Sequence, residues 1–341
     1  MKLRKRTLLI GFALLLAATL SVVFYSSLQP TWEGKPVGYW ITQLGEAAPQ
    51  SGEARLALDK LGPDKTAPYL AKAIGQKPQR ENFWRKSYRR NYDKLPAFLK
   101  KRLQPPTVTR PSRIQYTRSR IAYYLQALGR NQPAAAAAAV PGLASLLDDS
   151  DSDVRFCAGL ALMGFGTNAT LAVPAISKLL ETHPEKVNDP MMQMLGSCGP
   201  VAKATIPTLI KCLESTNVHL RMNCAKTLWQ LDHSHSEVVR PVVRELSSGQ
   251  DTGVRIEAAS LLWAMDKDPA VVVPTLISLL KDDDEAYDFR TIRLLQQIGP
   301  GAKEAIPTLS DWLQRNPGAE AFVTNAAYDA LKRMAYIPPT E

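Results

Sequence analysis

Histidine is scarce in this chain, four in 341 residues, and so is cysteine, also four. The scarcity limits metal chemistry first. His233 and His235, beside Asp232 and Glu237, make the one cluster with ligating character, and two histidines in a turn are too few for a closed zinc site; the cluster reads as a polar turn. His183 and His219 each stand alone. A glycine-rich phosphate loop, a nucleophile elbow and a paired-cysteine metal motif are all missing. With those gaps, no catalytic residue, cofactor, metal or small-molecule substrate is expected.

What the chain does have is a column of prolines. Pro141, Pro174, Pro207, Pro241, Pro274 and Pro307 follow one another at 33, 33, 34, 33 and 33 residues, a period that marks a repeat protein. Apolar residues keep the same phase: Leu143, Leu146 and Leu147 after the first proline, Ile176, Leu179 and Leu180 after the second, Leu276, Leu279 and Leu280 after the fifth. That spacing is one face of a helix. A second helix follows a polar turn, with Arg155, Asn188, Arg221, Arg255 and Asp288 in one column and Leu162, Leu195, Leu228, Leu262 and Leu295 in another. Each unit closes at Gly166, Gly199, Asp232, Asp266 or Gly299, a place for a residue that tolerates positive φ.

The clearest unit, Ala139 to Leu162, reads AVPGLASLLDDSDSDVRFCAGLAL and resembles the HEAT-repeat family in its short bacterial form. Gly129 with Leu125, Ile121 and Arg118, and Gly62 with Leu58 and Ala54, extend the match toward the N-terminus. The resemblance implies an all-α fold, a right-handed α-α superhelix of about eight helical pairs over 35–341. It also implies that second helices line a binding face, and that the column arginine pairs with an acidic turn residue in a ladder along the stack. Asp149 and Asp151 are the expected partners of Arg155, Glu214 that of Arg221 and Asp251 that of Arg255. The cysteines fall in core columns, Cys212 in a leucine slot and Cys224 in an alanine slot; a Cys198–Cys212 disulfide is left open.

The N-terminus carries a membrane signal. Lys2, Arg4, Lys5 and Arg6 precede 18 uncharged residues from Leu8 to Tyr25. This predicts a cytoplasmic tail over 1–6, a transmembrane anchor over 7–28, a linker over 29–34 and an exported repeat domain, hence a single-pass membrane protein. Secretion after cleavage of a signal peptide is the alternative.

The net charge of +10 is concentrated in one place. From Lys77 to Arg120 there are fourteen basic residues and two acidic ones, within and just beyond a surplus segment at 76–113 that interrupts one repeat. Aromatic and cationic residues alternate there. Arg80, Trp84, Arg85, Lys86, Arg89 and Arg90 are candidates for partner contact, together with the second-helix residues Tyr116, Arg118, Tyr123, Arg155, Arg221 and Arg255; Asn188, Asn223, Lys226 and Arg293 are further second-helix choices. The reading is a non-catalytic, membrane-anchored scaffold that binds an unidentified, acidic protein partner. The alternatives are a HEAT-like enzyme of lyase or DNA glycosylase type, or a module that binds nucleic acid or anionic lipid through the basic segment, the export signal weighing against nucleic acid.

Overall fold

The computed structural model describes residues 29–46, 49–76, 91–92, 111–132, 137–282 and 284–335. Its described part is all-α apart from one short hairpin, and it falls into two compact units. The first comprises residues up to Leu179 with Gln193–Cys198, the second Leu180–Met192 with Gly199 onward.

The first unit opens on β1 (Thr31–Trp32) and β2 (Lys35–Pro36), antiparallel around Glu33 and Gly34. The span expected to be a linker therefore carries structure. Trp32 meets Trp40 edge to face at 5.3 Å, which places the hairpin over the first helical pair, α1 (Val37–Gln43) and α2 (Gln50–Leu61). Next come α3 (Pro63–Ile74) paired with α4 (Pro111–Asn131), and α5 (Val140–Ala144) paired with α6 (Ser152–Met163). α4 and α6 approach so closely that a Cβ on Gly164 would sit 2.4 Å from the Gln126 carbonyl oxygen.

Two helices, α7 (Val173–Thr182) and α8 (Asp189–Ser197), are divided between the units. The second unit continues with α9 (Ile206–Cys212) and α10 (Val218–Leu231), α11 (Ser236–Ser247) and α12 (Thr252–Asp266), α13 (Pro269–Leu279) and α14 (Glu285–Ile298), α15 (Ile306–Arg315) and α16 (Ala321–Met334). The described residues thus hold sixteen α-helices in eight consecutive pairs. The leucine column is the spine: Leu162, Leu195, Leu228, Leu262 and Leu295 are all at most 1% exposed. Each such side chain contributes about 2 kcal/mol by leaving water.

The acidic turns act as caps. Side chains of Asp151, Asn217, Asp251, Asp268 and Asp284 accept first-turn N–H groups of α6, α10, α12, α13 and α14, satisfying donors a helix start leaves open. Pro141, Pro174, Pro207 and Pro307 stand second in their helices, where a missing N–H costs nothing. Pro241 and Pro274 lie inside α11 and α13, because those helices start earlier; Asp268, for example, caps α13 six residues before Pro274. At the unit ends, Gly166, Gly199 and Gly299 do take positive φ, leading into 3-10 turns. Asp232 does not: its φ is −159°, and after Asp266 it is Lys267 that takes the left-handed conformation, at φ 51°.

Among the described residues no helix is long and apolar enough to cross a membrane. This corrects the expectation of a single-pass membrane protein with exported repeats; the segments 1–6 and 7–28, from which that expectation comes, lie outside the described residues.

Candidate partner-binding surfaces

Three of the column arginines, Arg118, Arg221 and Arg255, reach the next helical pair. Arg118 donates to Asp151 Oδ2 at 2.8 Å and to the Gln76 carbonyl at 2.6 Å. Arg221 donates to Glu245 of α11 at 3.0 Å, and Arg255 to Asp282 and to Ser278 Oγ. The first turn of each second helix lies beside the following first helix, so a side chain of arginine length reaches that helix before it can fold back. Arg155 differs, donating to the backbone carbonyls of Asp149 and Ser150 in its own turn. Arg118 is only 3% exposed, and it braces the fold where a partner contact had been expected. Arg118 also sets the acidity of Asp151: burial pulls that carboxyl up, but the Arg118 hydrogen bond and backbone N–H groups of Asp153 and Val154 outweigh it and hold it below the usual carboxylate range.

Asp232 and Asp266, which stand where other units have glycine, each take a cation. Lys203 reaches Asp232 at 3.1 Å, and Arg240 reaches Asp266 at 2.8 Å. A hydrogen bond from Ser234, then Lys203, pushes the Asp232 carboxyl far down.

On α4 an aromatic, cationic face remains open. Tyr116 is 48% exposed and Tyr123 56%, seven residues apart and so on one side of the helix. Arg120 lies 4.9 Å over the Tyr116 ring and its Nε donates to the Tyr116 hydroxyl at 2.9 Å. α4 contains four arginines and neither aspartate nor glutamate. The adjacent Tyr124 points the other way: it is buried, its hydroxyl donates to Asp59, and burial followed by that carboxylate raises its pKa strongly. On neighbouring α6, Phe156 is also exposed. Of the basic segment, Arg80, Trp84, Arg85, Lys86, Arg89 and Arg90 lie outside the described residues.

The second unit contains a cleft of about 320 Å³ across the N-terminal turns of α8, α10, α12 and α14. It joins Asn188 and Asn223, both expected on the binding face, with His219, which was expected to stand alone, and with Glu257, Tyr287 and Arg290, which sequence reasoning passed over. The signal was present as a polar column, Asn223, Glu257 and Arg290, spaced 34 and 33 residues. Glu257 is its centre, with Lys226 at 3.3 Å on one side and Arg290 at 3.8 Å on the other. Gly253 admits the Tyr287 ring, since a Cβ there would lie 2.7 Å from the phenol oxygen.

Residues 239–332 match the family model of HEAT repeats. No curated protein matches the chain. Among solved structures, an engineered protein aligns at 21% identity and a TM-score of 0.31, covering 67% of this chain and 92% of its own. A designed armadillo repeat protein, YIII(Dq)4CqI, aligns at 12% identity and a TM-score of 0.33, covering 79% of this chain and 99% of its own. The stretch matched to HEAT repeats runs from within α11 into α16 and so includes Glu257, Tyr287 and Arg290.

The histidine cluster is a single 3-10 turn, His233–His235. His233 stacks on Trp229 at 4.0 Å and its Nδ1 lies 2.5 Å from the Trp229 carbonyl, while Asp232 caps the turn through Ser234. Among the described residues no three His, Cys, Asp or Glu side chains gather as a metal would require. All four cysteines are free thiols. Cys198 lies 3.3 Å from Met194 Sδ, and burial pushes its thiol up to about 11. Cys212 is drawn down to about 7 by its hydrogen bond with Cys224, which rises in turn.

Proposed function

We propose that this chain is a non-catalytic HEAT-repeat scaffold that holds an acidic protein partner against the open face of α4. The observation that carries the reading is the exposure of Tyr116 and Tyr123, with Arg120 set against Tyr116, on a helix that has no carboxylate. Tyrosine and arginine are residue types that concentrate binding energy at interfaces: tyrosine offers a large surface and a polar tip at small entropic cost, and arginine a planar fork of five donors. The basic residues Arg80, Arg85, Lys86, Arg89 and Arg90, with Trp84, precede α4 in the chain and extend the same chemistry. Arg221 and Arg255 serve the ladder and Arg155 braces its own turn, so each contributes only the edge it leaves exposed.

The test uses the full chain and a fluorescein-labelled peptide alternating glutamate and phenylalanine, followed by anisotropy. Binding should weaken with added salt, fall about tenfold in Tyr123→Ala, and fall further when Arg85, Lys86, Arg89 and Arg90 are changed to glutamate. Single-stranded DNA and anionic vesicles run in parallel. Tighter binding of either one, or indifference of the peptide to Tyr123→Ala, would reject the acidic-protein reading.

A further inference from the structure

The cleft of the second unit has chemistry opposite to that of α4. The second unit carries 21 carboxylate residues against 16 lysines and arginines, a net charge of −5, whereas the whole chain is +10. At the cleft the carboxylates are Asp189 and Glu257, and Asp251 stands close by, 3.3 Å from His219 Nε2. Of the two cations that oppose Glu257, Arg290 is loosely set, about half exposed and 3.8 Å away, while Lys226 is mostly buried and donates to Glu257 Oε2 at 3.3 Å. An exposed pair such as Arg290–Glu257 contributes little, so a ligand cation with better geometry can take the place of Arg290 beside Glu257.

Two hydrogen-bonding groups in the cleft are uncommitted. The Asn223 side-chain amide and the Tyr287 hydroxyl have no partner among the described residues, and both line the cleft. An amide that can donate and accept at once suits a peptide backbone, which offers one group of each kind per residue. Below them Met192, Leu220, Met222 and Val254 form a buried apolar floor on which an aliphatic side chain can rest. Neighbouring helices stand about 10 Å apart, so four of them span about 30 Å, or about nine residues of extended chain.

We infer that this cleft binds an extended basic segment of a partner protein, with a lysine or arginine on Glu257, the backbone on Asn223 and Tyr287, and aliphatic side chains on the methionine floor. The site is separate from the α4 face and stands whether or not that face binds an acidic partner.

The probe is a fluorescein-labelled nonapeptide alternating lysine and leucine, titrated against the full chain at low salt; its glutamate counterpart is the control. The lysine peptide binds and the control does not. Glu257→Gln weakens binding about tenfold, the scale of a charge-assisted hydrogen bond. Asn223→Ala removes an amide that supports no fold contact, so it melts like the native chain and still binds about fivefold more weakly, as loss of one neutral hydrogen bond predicts. Tyr123→Ala changes nothing here. Equal binding by the two cleft variants and the native chain would overturn the inference, as would equal affinity for the glutamate peptide or no binding at all. Self-association abolished by Glu257→Gln would name a second copy of this chain as the occupant, and would overturn it too.

Discussion

Arg255 donates to Asp282, the carboxylate that follows α13, while Asp251 in its own turn caps α12 and receives His219. In this pair the turn carboxylate and the column arginine therefore do not meet: Asp251 closes the start of α12, and Arg255 joins α12 to the following pair. Each link of the ladder is a longitudinal bond of the array, in line with the nearest-neighbour stability of repeat proteins.

A double-mutant cycle separates the two assignments. Arg255→Ala with Asp282→Ala should show a coupling of about 1 kcal/mol in urea unfolding, since Arg255 is largely buried and Asp282 partly exposed. Arg255→Ala with Asp251→Ala should show coupling near zero, because Asp251 acts on the α12 backbone. Equal couplings would place the ladder back within each turn.

Gly164→Ala should be among the most damaging small substitutions in the first unit. Its Cβ would fall 2.4 Å from the Gln126 carbonyl oxygen and 2.5 Å from the Gln126 Cα, a backbone that has no side-chain rotamer to relieve the clash. We expect a loss of about 2–3 kcal/mol as α4 and α6 are forced apart. Gly166→Ala, with open space around it but φ at 52°, should lose only about 1 kcal/mol. Chemical denaturation of both variants checks the order.

The Arg118–Asp151 link should appear as pH dependence. Asp151 is held below its ordinary value when folded, so the stability it adds is complete above the unfolded carboxyl value of about 3.9 and is lost as pH falls through the lower folded one. Asp151→Asn keeps the cap, since asparagine caps as well as aspartate, and removes only the charge. The variant should therefore be less stable than the native chain at neutral pH, by about 1 kcal/mol after solvent screening, and the two should converge on acidification. Urea midpoints measured from pH 7 downward test this. A constant gap would mean that Asp151 acts as a cap alone.

Much of the fold was legible because its determinants are local. Pro141 and its five equivalents and the leucines from Leu162 to Leu295 each act within a few residues of their own position, so a 33-residue period displays them in the chain itself. The acidic turn residues were legible as a column but as arginine partners, whereas Asp151 and Asp251 are caps. The unit ends were legible only in part. At Gly166 the left-handed backbone was readable from the residue type, whereas Asp232 and Asp266 occupy the same column for the cations of Lys203 and Arg240, 29 and 26 residues away.

The sequence by itself determined the helical pairs and their apolar spine, since helix periodicity and capping are properties of short stretches of chain. Only the tertiary structure decided which charges meet and which stay open: that Arg118 is enclosed while Tyr116 and Tyr123 are exposed, and that Asn223, Glu257 and Arg290 line a cleft they share with Tyr287. The reason is physical. Exposure and ion pairing depend on what the neighbouring pair brings within a side chain's reach, and that distance is set by packing between helices.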